Sequence, residues 1–145
     1  MAVKPIPEGF HTITPFLHVK GAARLLEFLK AAFGATELMR MPLPNGNIMH
    51  AEVKIGDSIL MIDDVMGEYS PTSASFYLHV PDTDATYRAA LAAGGTSVVE
   101  PANQFWGDRA AAVQDPAGNN WWIATHIEDV SPEELARRAQ EQAGK

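Results

Sequence analysis

His50 and Glu52 stand two residues apart in Met49-His50-Ala51-Glu52-Val53, a segment that reads as a β-strand. Residues i and i+2 of a strand face the same way, so the imidazole and the carboxylate are neighbours. A carboxylate that orients an imidazole makes a general base. The same pair serves equally well as a structural hydrogen bond or a surface feature. A second group, Trp106, Asp108 and Arg109, lies at a turn before a predicted strand. The Arg109 guanidinium suits a bidentate contact with a substrate carboxylate or phosphate. The rival reading is an ion pair of Arg109 with Asp108 or another loop carboxylate, with Trp106 stacked on it.

Other chemistry is excluded by what is missing. The chain has no cysteine, so disulfides, thiolate metal ligands and thiol nucleophiles are all ruled out. It has no glycine-rich phosphate loop of the Walker or dinucleotide type, and nothing supports a Ser-His-Asp triad. A net charge of −7 repels nucleic-acid phosphates, although a local pocket can still hold a small anion. No stretch approaches the roughly 18 apolar residues of a membrane helix. The first ten residues lack the apolar run of a signal peptide. The expectation is a soluble, cytoplasmic protein without nucleic-acid or membrane partners.

The elements that must position these residues are legible from patterning. Residues 1–10, with Pro5 and Pro7, read as an extended arm. A first module spans 11–67. It has a strand over 12–20, with Pro15 hinting at an edge, and a helix opened by Gly21 and stopped by Gly34. Strands over 36–41, 48–55 and 58–62 follow, with turns at Asn45-Gly46 and Gly56-Asp57. A second module spans 73–129, with a strand over 75–80, a helix over 82–93 and strands over 96–100, 109–114 and 120–125. Asp115-Pro116-Ala117-Gly118 is a tight turn. A C-terminal helix, 131–145, is capped by Ser131, with Pro132 first in line and Glu134 completing a capping box.

The second module repeats the first. Moved back 61 places, Ser75, Tyr77, Leu78, His79 and Val80 fall on Thr14, Phe16, Leu17, His18 and Val19, while at 62 places Gly118 falls on Gly56. The fold class is therefore α+β, two tandem βαβββ modules in one domain. Strand alternation separates the faces. Phe16 and His18 share one face with Thr14, whereas Ile13, Leu17 and Val19 should pack on the helix. Tyr77 and His79 share a face with Ser75. Trp122 shares one with Asn120, Ala124 and His126. Aromatic walls with a few polar groups suit a small-molecule site, or else these rings simply plug a second core.

Several runs carry a family resemblance. They are Leu17-His18-Val19-Lys20-Gly21-Ala22-Ala23, Ala31-Ala32-Phe33-Gly34-Ala35, Met49-His50-Ala51-Glu52 and above all Asn103-Gln104-Phe105-Trp106-Gly107-Asp108-Arg109. Together they resemble PhnB-like members of the vicinal-oxygen-chelate (glyoxalase/bleomycin-resistance/dioxygenase) superfamily. The resemblance implies curled mixed sheets around a cupped cavity and a homodimer, with the cup formed within one chain or between two. Fold alone does not choose an activity, since relatives include lyases, isomerases, dioxygenases and drug-binding proteins.

Metal-dependent relatives place His, Gln or Glu at four positions, two on the first strand and two on the last strand of the modules. Carried over, these are Thr14, Leu60, Ser75 and Trp122. Leu60 and Trp122 cannot ligate, and neutral hydroxyls are weak donors. No metal and no cofactor is expected. The expected function is binding of a small aromatic or amphipathic molecule by Phe16, His18, Tyr77, His79, Trp106, Arg109 and Trp122. One alternative is a metal-independent lyase or isomerase using His50 and Glu52. Another is a metal-dependent lyase or dioxygenase with a relocated site around His18 and His79. A third is a structural dimer whose cup is closed by Tyr77 and Trp122.

Overall fold

Pro15 has no N–H to offer a sheet, and the first strand, β1 (Phe16–Val19), begins just after it. The computed structural model describes residues 3–144. Met1 and Ala2 of the expected arm and Lys145 of the last helix lie outside that range. After β1 come α1 (Ala22–Phe33), β2 (Thr36–Pro42), β3 (Ile48–Ile55) and β4 (Ser58–Asp64). The order then repeats as β5 (Ser75–His79), α2 (Thr83–Ala92), β6 (Thr96–Asn103), β7 (Asp108–Gln114) and β8 (Asn120–His126). The helix α3 (Pro132–Ala143) ends the chain.

Two four-stranded mixed sheets result, ordered β1-β4-β3-β2 and β5-β8-β7-β6. In each, the first strand runs parallel to the fourth at the sheet edge, where Pro15 is tolerated. The expected first strand is longer than the observed one. Pairing starts where the Met61 N–H donates to the Pro15 carbonyl, and Ile13, expected to pack on the helix, is instead 82% exposed.

The register corrects one alignment. Phe16 pairs with Met61 and Tyr77 with Trp122, so the 61-place shift holds on these strands. Trp122 thus corresponds to Met61, not to Leu60, which lies in the core. The second hairpin's turn is one residue longer, so the shift is 60 places between β3 and β7 and 61 between β4 and β8, and the expected 62-place match of Gly118 with Gly56 does not hold. Asp115 bonds across it to Asn119, whereas Ile55 pairs directly with Ser58.

The two helices begin by different means. Gly21, at φ +80°, has no side chain with which to cap α1. Asp64 at the end of β4 reaches across and accepts the N–H groups of Gly21 and Ala22, both at 2.9 Å. In the second module Asp82 caps α2 itself, and Thr125, in the place of Asp64, accepts the Thr83 N–H at 3.0 Å. At α3 half of the expected capping box forms. Ser131 accepts the Glu134 N–H, but the Glu134 carboxylate is drawn to Arg137 and Arg138. Arg138 ties α3 to the body through Glu128 and the Phe105 carbonyl. Among the described residues no helix is long and apolar enough to cross a membrane.

One core serves both modules. Leu17, Val19, Leu25, Leu29, Val53 and Ile62 of the first join Ala90, Val113, Trp121 and Ile123 of the second. Trp121 packs on Phe33 of α1, with ring centroids 4.9 Å apart, and on Phe76 of β5, at 4.4 Å. The sheets contribute their helix-bearing faces to this core. Their other faces stay open, leaving Phe16 43% and Tyr77 41% exposed.

Candidate functional site on the open sheet faces

On the open face of the second sheet, alternation along β7 brings up Asp108, Ala110 and Ala112. Alanines here leave room above the sheet for large rings. The Tyr77 hydroxyl donates to Asp108 at 2.5 Å and accepts the Trp106 indole N–H at 2.8 Å. Trp122 lies nearly parallel to Tyr77, with centroids 6.3 Å apart, and meets Trp106 edge-on at 6.2 Å. His79 sits beside Tyr77 at 5.2 Å. His126 bridges two carboxylates, Asp108 at 2.8 Å through Nδ1 and Asp129 at 2.7 Å through Nε2.

Electrostatics follow from these contacts. Burial, then the Asp108 carboxylate, pushes the Tyr77 phenol up to about 12, so it stays a donor at neutral pH. Burial pushes Asp108 upward, but the bonds from Tyr77 and His126 outweigh it and hold its carboxyl below the usual value. Asp129 and then Asp108 raise His126. Gly107 makes the arrangement possible. At φ +102°, a Cβ there would stand 2.3 Å from the Glu128 carbonyl, so only glycine lets the Trp106–Asp108 loop reach the end of β8.

Arg109 does not join this group. It faces the helix side of β7, where Asp84 takes it bidentately at 2.6 and 2.9 Å and Asn103 adds a bond at 3.1 Å. Its ion-pair partner is thus Asp84 rather than Asp108. A guanidinium so engaged cannot also grip a ligand on the opposite face.

The first sheet's open face is chemically different. Phe16 stacks on His18 with centroids 4.4 Å apart and meets His50 edge-on at 5.7 Å. His18 Nδ1 lies 2.8 Å from Asp63, and His50 Nε2 lies 2.9 Å from Glu52. The arm lies over part of this face. Pro5, Ile6 and Phe10 help to enclose a groove of ≈500 Å³ with Glu52 and Met61. A second groove of ≈440 Å³ runs from His18 and Asp63 to Met66 and Tyr69 of the connector after β4.

The superfamily metal positions do not fit an ion. With the register corrected they are Thr14, Met61, Ser75 and Trp122. Two hydroxyls, a thioether and an indole offer a divalent cation neither anionic nor imidazole donors. Among the described residues no three His, Cys, Asp or Glu gather as a metal group. His18 and His79 sit in separate clusters, around Phe16 and Tyr77 respectively, and do not form the relocated site.

Spacing along the chain places Asp108 beside Trp106 and Arg109, and His126 on one face with Trp122, but does not join the two groups, and it does not single out Asp63. A strand expected from Arg109 leaves out Asp108, whose alternation with Ala110 and Ala112 puts it on the open face. Asp63 becomes visible only when β1 is laid beside β4, which pairs it with His18.

Known proteins share this architecture. Residues 9–123 match the family described as the Glyoxalase/Bleomycin resistance protein/Dioxygenase superfamily. The chain is 34% identical over 134 residues to Mb0911c, an uncharacterized protein of Mycobacterium bovis, covering 85% of this chain and 88% of that one. The crystal structure of TioX from Micromonospora sp. ML1 superposes with a TM-score of 0.64 at 25% identity, covering 79% of this chain and 99% of that one. An Arabidopsis thaliana gene product gives 0.66 at 26% identity, covering 79% and 98%. The repeated βαβββ modules, the match across most of the chain and these neighbours agree: the chain belongs to the glyoxalase/bleomycin-resistance/dioxygenase superfamily.

Proposed function

We propose that the chain is a PhnB-like member of the superfamily that binds a small aromatic or amphipathic molecule without a metal ion. The observation that carries this reading is the group of Tyr77, Trp106 and Trp122, in which Tyr77 is hydrogen-bonded to Trp106 and Asp108 and Trp122 packs against both rings, all partly open to solvent. Rings fixed before binding lose little freedom on contact with a flat ligand. A second copy of the chain is the natural partner. It would lay the first sheet's open face over the second sheet's open face and so close a cup around the ligand. The test is quenching of tryptophan fluorescence by anilinonaphthalene sulfonate, an aromatic amphiphile. Saturable quenching is expected, weakened about tenfold in Trp122→Ala by the lost stacking. Saturation unchanged in that variant, or no saturation at all, counts against the reading and favours a structural dimer plugged by Tyr77 and Trp122.

A second reading draws on one distance, the 2.9 Å between His50 and Glu52. An imidazole so oriented can serve an enzyme of lyase or isomerase type as its base. His50→Ala separates the two readings. A binder loses little affinity, whereas an enzyme loses orders of magnitude in rate.

A further inference from the structure

The N-terminal arm and the first sheet's open face together enclose the groove of ≈500 Å³ described above. Prolines stiffen the arm, and the Phe10 N–H donates to the Pro7 carbonyl at 3.0 Å to close a turn. Pro5, Ile6 and Phe10 on the arm and Met61 on β4 give the groove apolar walls. One carboxylate stands among them. Of the lining residues only Glu52 is acidic, and none is a lysine or an arginine.

Glu52 is only half satisfied. Its Oε2 lies 2.9 Å from His50 Nε2, and its side chain is 18% exposed. Its Oε1 has no hydrogen-bond partner among the described residues, and a carboxylate drawn this far out of water gains from one. Lys4, the only lysine or arginine of the arm, does not supply it, because Glu8 holds its Nζ at 2.9 Å. The fold does not require a carboxylate here. Ala112 takes the corresponding place in the second module, pairing with Trp122 as Glu52 pairs with Met61.

We propose that this groove is a binding site for a primary amine carried on an arylalkyl chain. The site lies on the first sheet and goes beyond the aromatic group of the second. The ammonium donates a charge-assisted hydrogen bond to Oε1 of Glu52. Its other N–H groups meet the hydroxyl oxygens of Thr12 and Thr14, which line the same groove. The chain and aryl ring lie along Pro5, Ile6 and Phe10, whose flat faces suit a ring. Charge and donor count select the ammonium. An anion is repelled by Glu52, and a neutral alcohol leaves the carboxylate's charge unpaired. His50 holds Oε2 and so fixes the carboxylate before the ligand arrives, which makes it a positioning residue. The net charge of −7 favours the approach of a cation.

The test is isothermal titration calorimetry at about pH 8, where an alkylamine is charged. The probes are 4-phenylbutylamine and its neutral counterpart 4-phenylbutanol. The amine should bind the wild-type chain about ten times more tightly than the alcohol. Glu52→Gln should abolish that preference and leave the alcohol's affinity unchanged, which also shows that the groove is intact. Phe10→Ala should weaken both probes about fivefold by removing an apolar wall, and keep the preference. Equal affinities of the two probes for the wild type overturn the proposal. A preference that survives Glu52→Gln, or binding that Phe10→Ala leaves unaltered, puts the amine elsewhere and overturns it too. Failure of the wild type to bind either probe has the same consequence.

Discussion

Asp115, itself buried, accepts hydrogen bonds from the Ala117 and Asn119 backbone N–H groups, the Asn119 amide and the Trp121 indole, of which the last two residues are also buried. Removing an acceptor strands donors that water cannot reach, and each stranded group costs about 1–3 kcal/mol. Asp115→Ala should therefore lose about 3 kcal/mol, seen as a fall of about 10 °C in Tm. His126 makes a prediction of a different kind. Asp129 and Asp108 raise its pKa above the ordinary 6.5. The folded state thus favours the imidazolium. Its contribution is fully present below 6.5 and disappears as pH rises through the raised value. The Tm difference between wild type and His126→Gln should be largest in mild acid and shrink above neutrality. A difference that does not vary with pH would count against the double carboxylate bridge. At this scale the His50–Glu52 contact was legible, because two residues in one strand need only alternation to meet. The His18–Asp63 contact was not, because its partners lie 45 positions apart and meet only through strand pairing.

At the scale of elements, patterning placed the strands and helices well and misjudged some ends. The Ile48–Ile55 strand and the Gly34 stop of α1 follow directly from residue types. The β6 strand runs on through Pro101 to Asn103, past the expected end at residue 100, because the bulges between Ser97 and Ala102 absorb the break. Helix starts show how one element depends on another. Asp64 serves Gly21, Ala22 and the Ile48 N–H, so it joins α1 to β3 as well as to β4. Asp64→Ala should destabilise by about 2–3 kcal/mol in urea unfolding, since it leaves three backbone donors bare. Thr125→Ala should cost about 1 kcal/mol, because Asp82 still caps α2. Equal losses in the two variants would mean that Gly21 starts its helix without help.

For the molecule as a whole, the shared core predicts one unfolding transition. Trp121 belongs to the second module but packs on Phe33 of the first, so neither module has a complete core alone. Tryptophan fluorescence and far-ultraviolet circular dichroism should report coincident transitions, and residues 1–72 alone should remain unfolded. Separate transitions would show two independent folding units. The amino-acid sequence by itself determined the βαβββ repeat and the helix and strand periods. All of these depend on residue types and on spacings within one segment. The tertiary structure decided what spacing cannot. It sent Arg109 to Asp84 across the back of the sheet, matched Trp122 with Met61 rather than Leu60, and gathered the His18–Asp63 and His50–Glu52 pairs on one open face and Trp106 and Trp122 on the other. Those outcomes turn on the register between strands. A slip of one residue moves a side chain to the opposite face, and register is set by pairing between segments far apart in the chain.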